Sequence, residues 1–179
     1  MRAPKAGIFH PECRVELVNG EIFEMSPIDP WHSGVVNWLN HRFVTELSGR
    51  AIVHPQNPTI VDRHSEPQPD LMLLKPREDF YRTAHPTPAD ALLVVEVANT
   101  SLPHDRRRKL PLYARTGVVE VWIVNRRDDA IDVFRDPSPE GYRHQFHRGR
   151  GEHVAPSAFP DLQLSVDDIL GPPTLARPQ

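Results

Sequence analysis

The chain has 179 residues, 39% of them hydrophobic and 25% charged, with a formal net charge of −3. That length suits one domain with its own core and is short for two, and the ordinary composition argues against global disorder. The acidic balance argues against a dedicated non-specific DNA-binding module, which is normally basic, and the lack of any apolar run of about 18 residues argues against a membrane span.

In chain order, residues 1–13 read as a flexible N-terminus. MRAPKAGIFHPE carries some positive charge but no apolar stretch of the kind a secretory signal needs. Cys13 is the only cysteine, which excludes an intrachain disulfide and a cysteine-based zinc site. These features favour the cytoplasm. Residues 14–170 read as one domain. VELVNGEIFEMSP (15–27) predicts a β-hairpin turning at Asn19-Gly20. In PWHSGVVNWLNHRFVTELSG, Val35, Val36, Leu39, Phe43 and Leu47 recur at helical spacing, with Gly49 just past the end. AIVHPQNPTIVD (51–62) predicts two short extended pieces broken by Pro55 and Pro58, and PDLMLL (69–74) a third strand.

KPREDFYRTAHPTPAD (75–90) is polar and proline-interrupted, and predicts a long surface loop. ALLVVEVA (91–98) is almost continuously apolar, as a central strand buried on both faces would be. HDRRRKLPLYARTG (104–117) predicts a helix that Pro111 should kink or shorten. VEVWIVN (119–125) predicts a further strand. AIDVFRD (130–136) and YRHQFHR (142–148) follow as a meander, joined through turn residues in RRDD and PSPEG. PDLQLSVDDIL (160–170) predicts a short extended piece and a short helix, and 171–179 a loose tail. The order predicts an α/β (α+β) fold: a mixed sheet flanked by helices, with an N-terminal hairpin and extra C-terminal strands.

Three residues each admit a structural role and gain meaning together. Glu96 sits among Val94, Val95 and Val97, where a carboxylate is expensive unless it reaches solvent at a strand end or gains a partner. Asp70 stands at the mouth of PDLMLL, where a turn or cap residue is the plain alternative. Lys109 closes the run Arg106-Arg107-Arg108-Lys109 in a chain with 18 arginines and three lysines. Its plain alternative is a solvated helix face with an Asp105–Lys109 pair. Jointly, two carboxylates on neighbouring strands and one ammonium suit metal-assisted phosphate chemistry. Hard oxygen ligands take Mg²⁺ or Mn²⁺, and a lysine stabilises developing negative charge. No HExxH motif points to a zinc peptidase.

PQPDLMLL, ALLVVEVANTS and HDRRRKLPLYARTGVVEVWIVN, with the opening VELVNGEIFEMSPIDPWHSGVVNWL, resemble the Uma-type family of restriction-endonuclease-like proteins. That family is a branch of the PD-(D/E)XK nuclease superfamily, and the likeness covers residues 14–170. It implies a restriction-endonuclease-like core with a helix on either side of a mixed four-stranded sheet, extended here by extra strands. Asp70 then matches the aspartate of the PD motif and Glu96 the second acidic residue, with the Val97 main-chain carbonyl as a further metal ligand. Where the simple pattern has lysine two residues after the glutamate, this chain has Ala98. Lys109 matches a relocated lysine, which requires it to face the sheet. His32 resembles the family's helix-start histidine, a donor behind the metal or a phosphate contact; its plain alternative is an ordinary histidine at a helix start. Asp105 would orient Lys109 or serve as a plain helix cap, and Gln68 would line the site. The resemblance implies a Mg²⁺- or Mn²⁺-dependent endonuclease hydrolysing DNA. A homodimer is expected because double-strand cutting by single-site nucleases usually needs two sites, and Arg106–Arg108 would contact phosphates where their side chains face the site. The second reading is a weakly active or inactive protein of the same fold, serving as a DNA-binding or protein-interaction accessory. The negative net charge motivates it.

Overall fold

The chain is described here by a computed structural model covering residues 14–173; the expectations for 1–13, Cys13 included, and for 174–179 lie outside the described residues. β1 (Val15–Val18) and β2 (Glu21–Glu24) form the expected hairpin. Asn19 and Gly20 have φ of 55° and 81°, the two left-handed positions a two-residue hairpin turn of type I′ requires. α1 (Pro30–Glu46) starts where Asp29 accepts the His32 N–H at 2.9 Å, with Pro30 in its first turn. Its stripe of Val35, Val36, Leu39 and Phe43 is buried. Asp29→Ala is expected to cost about 1 kcal/mol, the usual worth of such a cap, measurable by urea unfolding.

Among the described residues the main sheet has six strands, in the order β3 (Ile52–Pro55), β4 (Leu71–Leu74), β5 (Ala91–Ala98), β6 (Glu120–Asn125), β7 (Ala130–Ser138) and β8 (Gly141–Gly149). Of these neighbours, β5 and β6 are parallel and the others antiparallel. A parallel pair needs a crossover, and residues 102–115 supply it as helix. Two strands precede β5 in this sheet, not three. Among the described residues, the second extended piece expected after Pro55 joins no strand of the sheet and makes only an isolated bridge, Asp62 opposite Ser65. The N–H groups of Thr59 and Ile60 donate instead to the carbonyls of Pro67 and Pro86, both at 3.0 Å. Prolines 55 and 58 remove the donors that a strand would need there. The 75–90 loop is tied down by Tyr81, which is buried and donates its hydroxyl to the Lys75 carbonyl at 2.9 Å.

Residues 102–115 form one helical stretch in three parts: α2 (Leu102–His104), a π-helical turn (Asp105–Lys109) and α3 (Leu110–Arg115). Pro111 is the cause. It has no N–H, and its ring would meet the carbonyl four residues back. The helix widens just before it, so the Leu110 N–H reaches the Asp105 carbonyl five residues back. Regular winding resumes with Pro111 in a first turn, where no N–H is needed. The wide turn buries Asp105 and Lys109 and leaves Arg106–Arg108 exposed.

The sheet is covered on both sides. α1 and α4 (Val166–Leu170) pack on Leu71, Leu73, Leu93, Val95, Val97, Trp122 and Ile131. α3 packs on Met72, Leu74, Val94, Ala98, Val121 and Ile123. A two-stranded ribbon of β9 (His153–Val154) and β10 (Leu164–Ser165) completes the α1 side.

Candidate active site

Strand alternation aims both acidic residues at one face. Met72 and Leu74 on β4, and Val94 and Ala98 on β5, face α3. Asp70 and Glu96 are in phase with them. The β4–β5 ladder ends at Leu71 opposite Val95. Beyond that point the Asp70 carboxylate takes the place of a ladder acceptor, its Oδ2 receiving the Val97 N–H at 2.8 Å. On the other side of β5, the Ala98 carbonyl accepts the Arg126 N–H at 3.0 Å. Successive carbonyls alternate along a strand, so the Val97 carbonyl points to the Asp70 side.

Glu96 is 2% exposed and Lys109 4%, and they meet. Lys109 Nζ lies 3.2 Å from Glu96 Oε2, 3.0 Å from Glu16 Oε2 and 3.8 Å from Asp105 Oδ1. The Tyr113 hydroxyl donates to Glu96 Oε1 at 2.7 Å. His32 Nε2 is 2.9 Å from Asp70 Oδ1 but poorly aligned, which leaves this buried nitrogen without a hydrogen bond among the described residues. A pocket of about 270 Å³ opens over the group, walled by Phe23 and Ile28 on one side and by Asn99–Ser101 on the other.

One ammonium therefore serves several buried carboxylates. Burial pushes Asp70, Glu96 and Asp105 above the ordinary carboxylate range, and the nearby Lys109 only partly offsets it. For Glu96 the neighbouring carboxylates add to the upward push. Burial works against the charge on Lys109, but Glu96, Glu16, Asp105 and Asp70 outweigh it and hold the ammonium charged. Glu16 behaves oppositely to its acidic neighbours. Burial would raise it, but the His104 contact, the Lys109 charge and the Gln68 N–H bring it down to about 2.

Asp70, Glu96, Lys109, Asp105, His32 and Val97 all line this pocket. Gln68 does not. Its side-chain amide turns to the Gln56 carbonyl, and only its main-chain N–H reaches the group, at 3.2 Å from Glu16 Oε2. Two residues before Asp70, strand alternation would put Gln68 on Asp70's face, but Gln68 precedes β4, outside any regular strand, and the alternation does not hold there. The arginine run is divided as well. Arg106 pairs with Asp132, Arg108 lies 3.7 Å from Glu21, and Arg107 is exposed. Sequence reasoning did not single out Glu16, His104 or Tyr113. The signal for Glu16 was slight: it shares its strand phase with the buried Val18.

The residues suit a hard divalent cation. The donors are carboxylate and carbonyl oxygens, and the buried group has more carboxylates than the one Lys109 ammonium can pair. Among the described residues, no three His, Cys, Asp or Glu side chains converge as a ready cage. Mg²⁺ does not require one. It keeps several waters and is usually bound through one or two carboxylates together with substrate phosphates.

A mixed sheet covered by helices on both faces, with an acidic pair where β4 leaves β5, is the architecture of a restriction-endonuclease-like α+β protein. A crystal structure described as "a putative nuclease belonging to DUF820 from Anabaena variabilis" shares the fold, with a TM-score of 0.73 at 15% identity over 93% of this chain and 94% of that one. The chain belongs to the Uma2 family, described as "putative restriction endonuclease", whose model matches residues 2–167. No curated protein matches the chain. No helix among the described residues is long and apolar enough to cross a membrane.

Proposed function

We propose that this protein is a Mg²⁺- or Mn²⁺-dependent endonuclease that hydrolyses DNA phosphodiester bonds in the cytoplasm. The supporting observation is that Asp70, Glu96 and the Lys109 ammonium, from three separate elements, meet at the floor of one pocket. Asp70, Glu96 and the Val97 carbonyl would hold the ion. When bound, the ion neutralises phosphate charge and acidifies a water.

The chain's own groups do the rest. Lys109 presents a fixed positive charge to the phosphoryl oxygens, where it is worth most in a site that excludes water. The Tyr113 hydroxyl and the Val97 N–H each occupy one carboxylate oxygen, which limits how Glu96 and Asp70 can rotate. His32 stands beside Asp70 as a donor toward a phosphate oxygen. Exposed Arg107 offers charge to the DNA backbone. A homodimer would bring one such site to each strand for a double-strand cut.

The test is calorimetric titration of Mn²⁺ into the wild type, Asp70→Ala and Glu96→Ala, paired with cleavage of supercoiled plasmid. Expected are saturable binding and nicking by the wild type, both lost in each variant with circular dichroism unchanged. Undiminished cleavage by both variants would overturn the assignment. DNA binding without cleavage by any of the three would favour the accessory reading instead.

A further inference from the structure

Glu16 is a buried carboxylate for which the scheme above has no use. It comes from the N-terminal hairpin, well before the acidic motifs in the chain, yet its Oε2 is nearer to Lys109 Nζ (3.0 Å) than that of Glu96 is (3.2 Å). Its own position is over-determined. His104 Nε2 lies 3.0 Å from Oε1 and the Gln68 N–H 3.2 Å from Oε2. Only 4% of Glu16 is exposed, so water does not compete for these partners.

Lysine ends a flexible four-carbon stem, and one anchor cannot hold its ammonium in one place. Without Glu16, Nζ would keep Glu96 at 3.2 Å and the more distant Asp105 at 3.8 Å on its own helical turn, and could swing about the nearer contact. Anchors on two elements, β1 and β5, leave it one position between them. The depressed pKa of Glu16 agrees with a carboxylate kept charged for this contact. The hairpin meets the site a second time through Phe23, whose ring packs edge-on against His104 at 4.7 Å.

We infer that Glu16 is a positioning residue, through which the N-terminal hairpin fixes the Lys109 ammonium at the pocket floor. Its consequence for catalysis rests on the nuclease reading; the Glu16–Lys109 contact itself does not. The inference makes the hairpin a working part of the site and not an appendage to the sheet.

The experiment uses the full chain with Glu16→Gln, which keeps size and loses charge, and Glu16→Asp, which keeps charge and withdraws it by one methylene. The chain has three lysines, Lys5, Lys75 and Lys109, so acetylation followed by mass spectrometry reads each separately. In Glu16→Gln, Lys109 is expected to be acetylated about tenfold faster than in the wild type, with Lys75 unchanged. Loss of such a supporting contact costs about 10–100-fold in activity, here expected in kcat, with KM for DNA within about twofold and Mn²⁺ affinity retained. Glu16→Asp should recover part of the kcat, which a residue that merely fastens the hairpin would not produce. Unchanged Lys109 labelling and unchanged kcat in Glu16→Gln would overturn the inference. If Glu16→Gln fails to fold, Glu16→Asp is read for an intermediate loss in the same two measurements, and wild-type values there also overturn it. If the wild type cleaves no DNA, the nuclease reading falls, and Lys109 labelling still decides whether Glu16 holds the ammonium.

Discussion

Lys109→Met should destabilise the fold by about 3–5 kcal/mol and reduce DNA cleavage by about 10²–10³-fold. The stability loss follows from what the ammonium leaves behind. Glu16, Glu96 and Asp105 are each at most 4% exposed, and Lys109 is the buried cation they share. Removing one partner of a buried pair strands charge in a medium that solvates it poorly, whereas removing both can be nearly neutral. Adding Glu96→Gln to Lys109→Met should therefore recover part of the lost stability without restoring cleavage. The deficit of the single variant should also shrink in acid, where Glu96 and Asp105 take up protons. Urea unfolding at neutral and acidic pH measures both effects. A loss of only about 0.5 kcal/mol, the range of an ordinary surface substitution, would show that Lys109 does not compensate these carboxylates.

The second large effect links protons to metal. Asp70, Glu96 and Asp105 all have raised pKa values in the fold, from ordinary values of 3.8, 4.5 and 3.8. Between its unfolded and folded pKa, such a group binds more protons folded than unfolded, so stability falls as pH rises through that window. Glu16 has the opposite sign. Its pKa drops from 4.5 to about 2, so its contribution is complete above 4.5 and is lost as pH falls toward 2. The metal-free protein should accordingly melt highest in mild acid, with stability declining on both sides. A divalent cation competes with the protons on Asp70 and Glu96. Mn²⁺ should thus raise the melting temperature more above neutrality than in mild acid, by about 2.7 kcal/mol of stability at a hundredfold excess over Kd. Glu96→Gln should flatten both the pH dependence and the metal response. Calorimetric melts across pH, with and without Mn²⁺, decide it. A metal response independent of pH would mean that the ion binds away from these carboxylates.

Much of this was legible in the residues themselves because the signals were local. Asn19-Gly20 supplies two left-handed positions and so a hairpin. The helical spacing of Val35, Val36, Leu39 and Phe43 admits one buried face. The apolar run around Glu96 has nowhere to lie but mid-sheet, whereas the face that Asp70 and Glu96 share depends on the β4–β5 pairing, because their neighbours are apolar at odd and even steps alike. The second extended piece in 51–62 was misjudged because a β-like stretch becomes a strand only if a neighbour offers a ladder, and the prolines there remove the donors. Gln68 turns away because it precedes β4, where no strand alternation fixes its direction and its side-chain amide donates to the Gln56 carbonyl. The direction of Lys109 and the arrival of Glu16 lay beyond any sequence pattern. The first depends on a helix widened by one residue ahead of Pro111, which turns Asp105 and Lys109 inward together. The second depends on where a four-residue strand docks more than ninety residues from the lysine it holds. Periodicity determines which face a side chain takes on its own element, but only the packing of separate elements determines which charges meet.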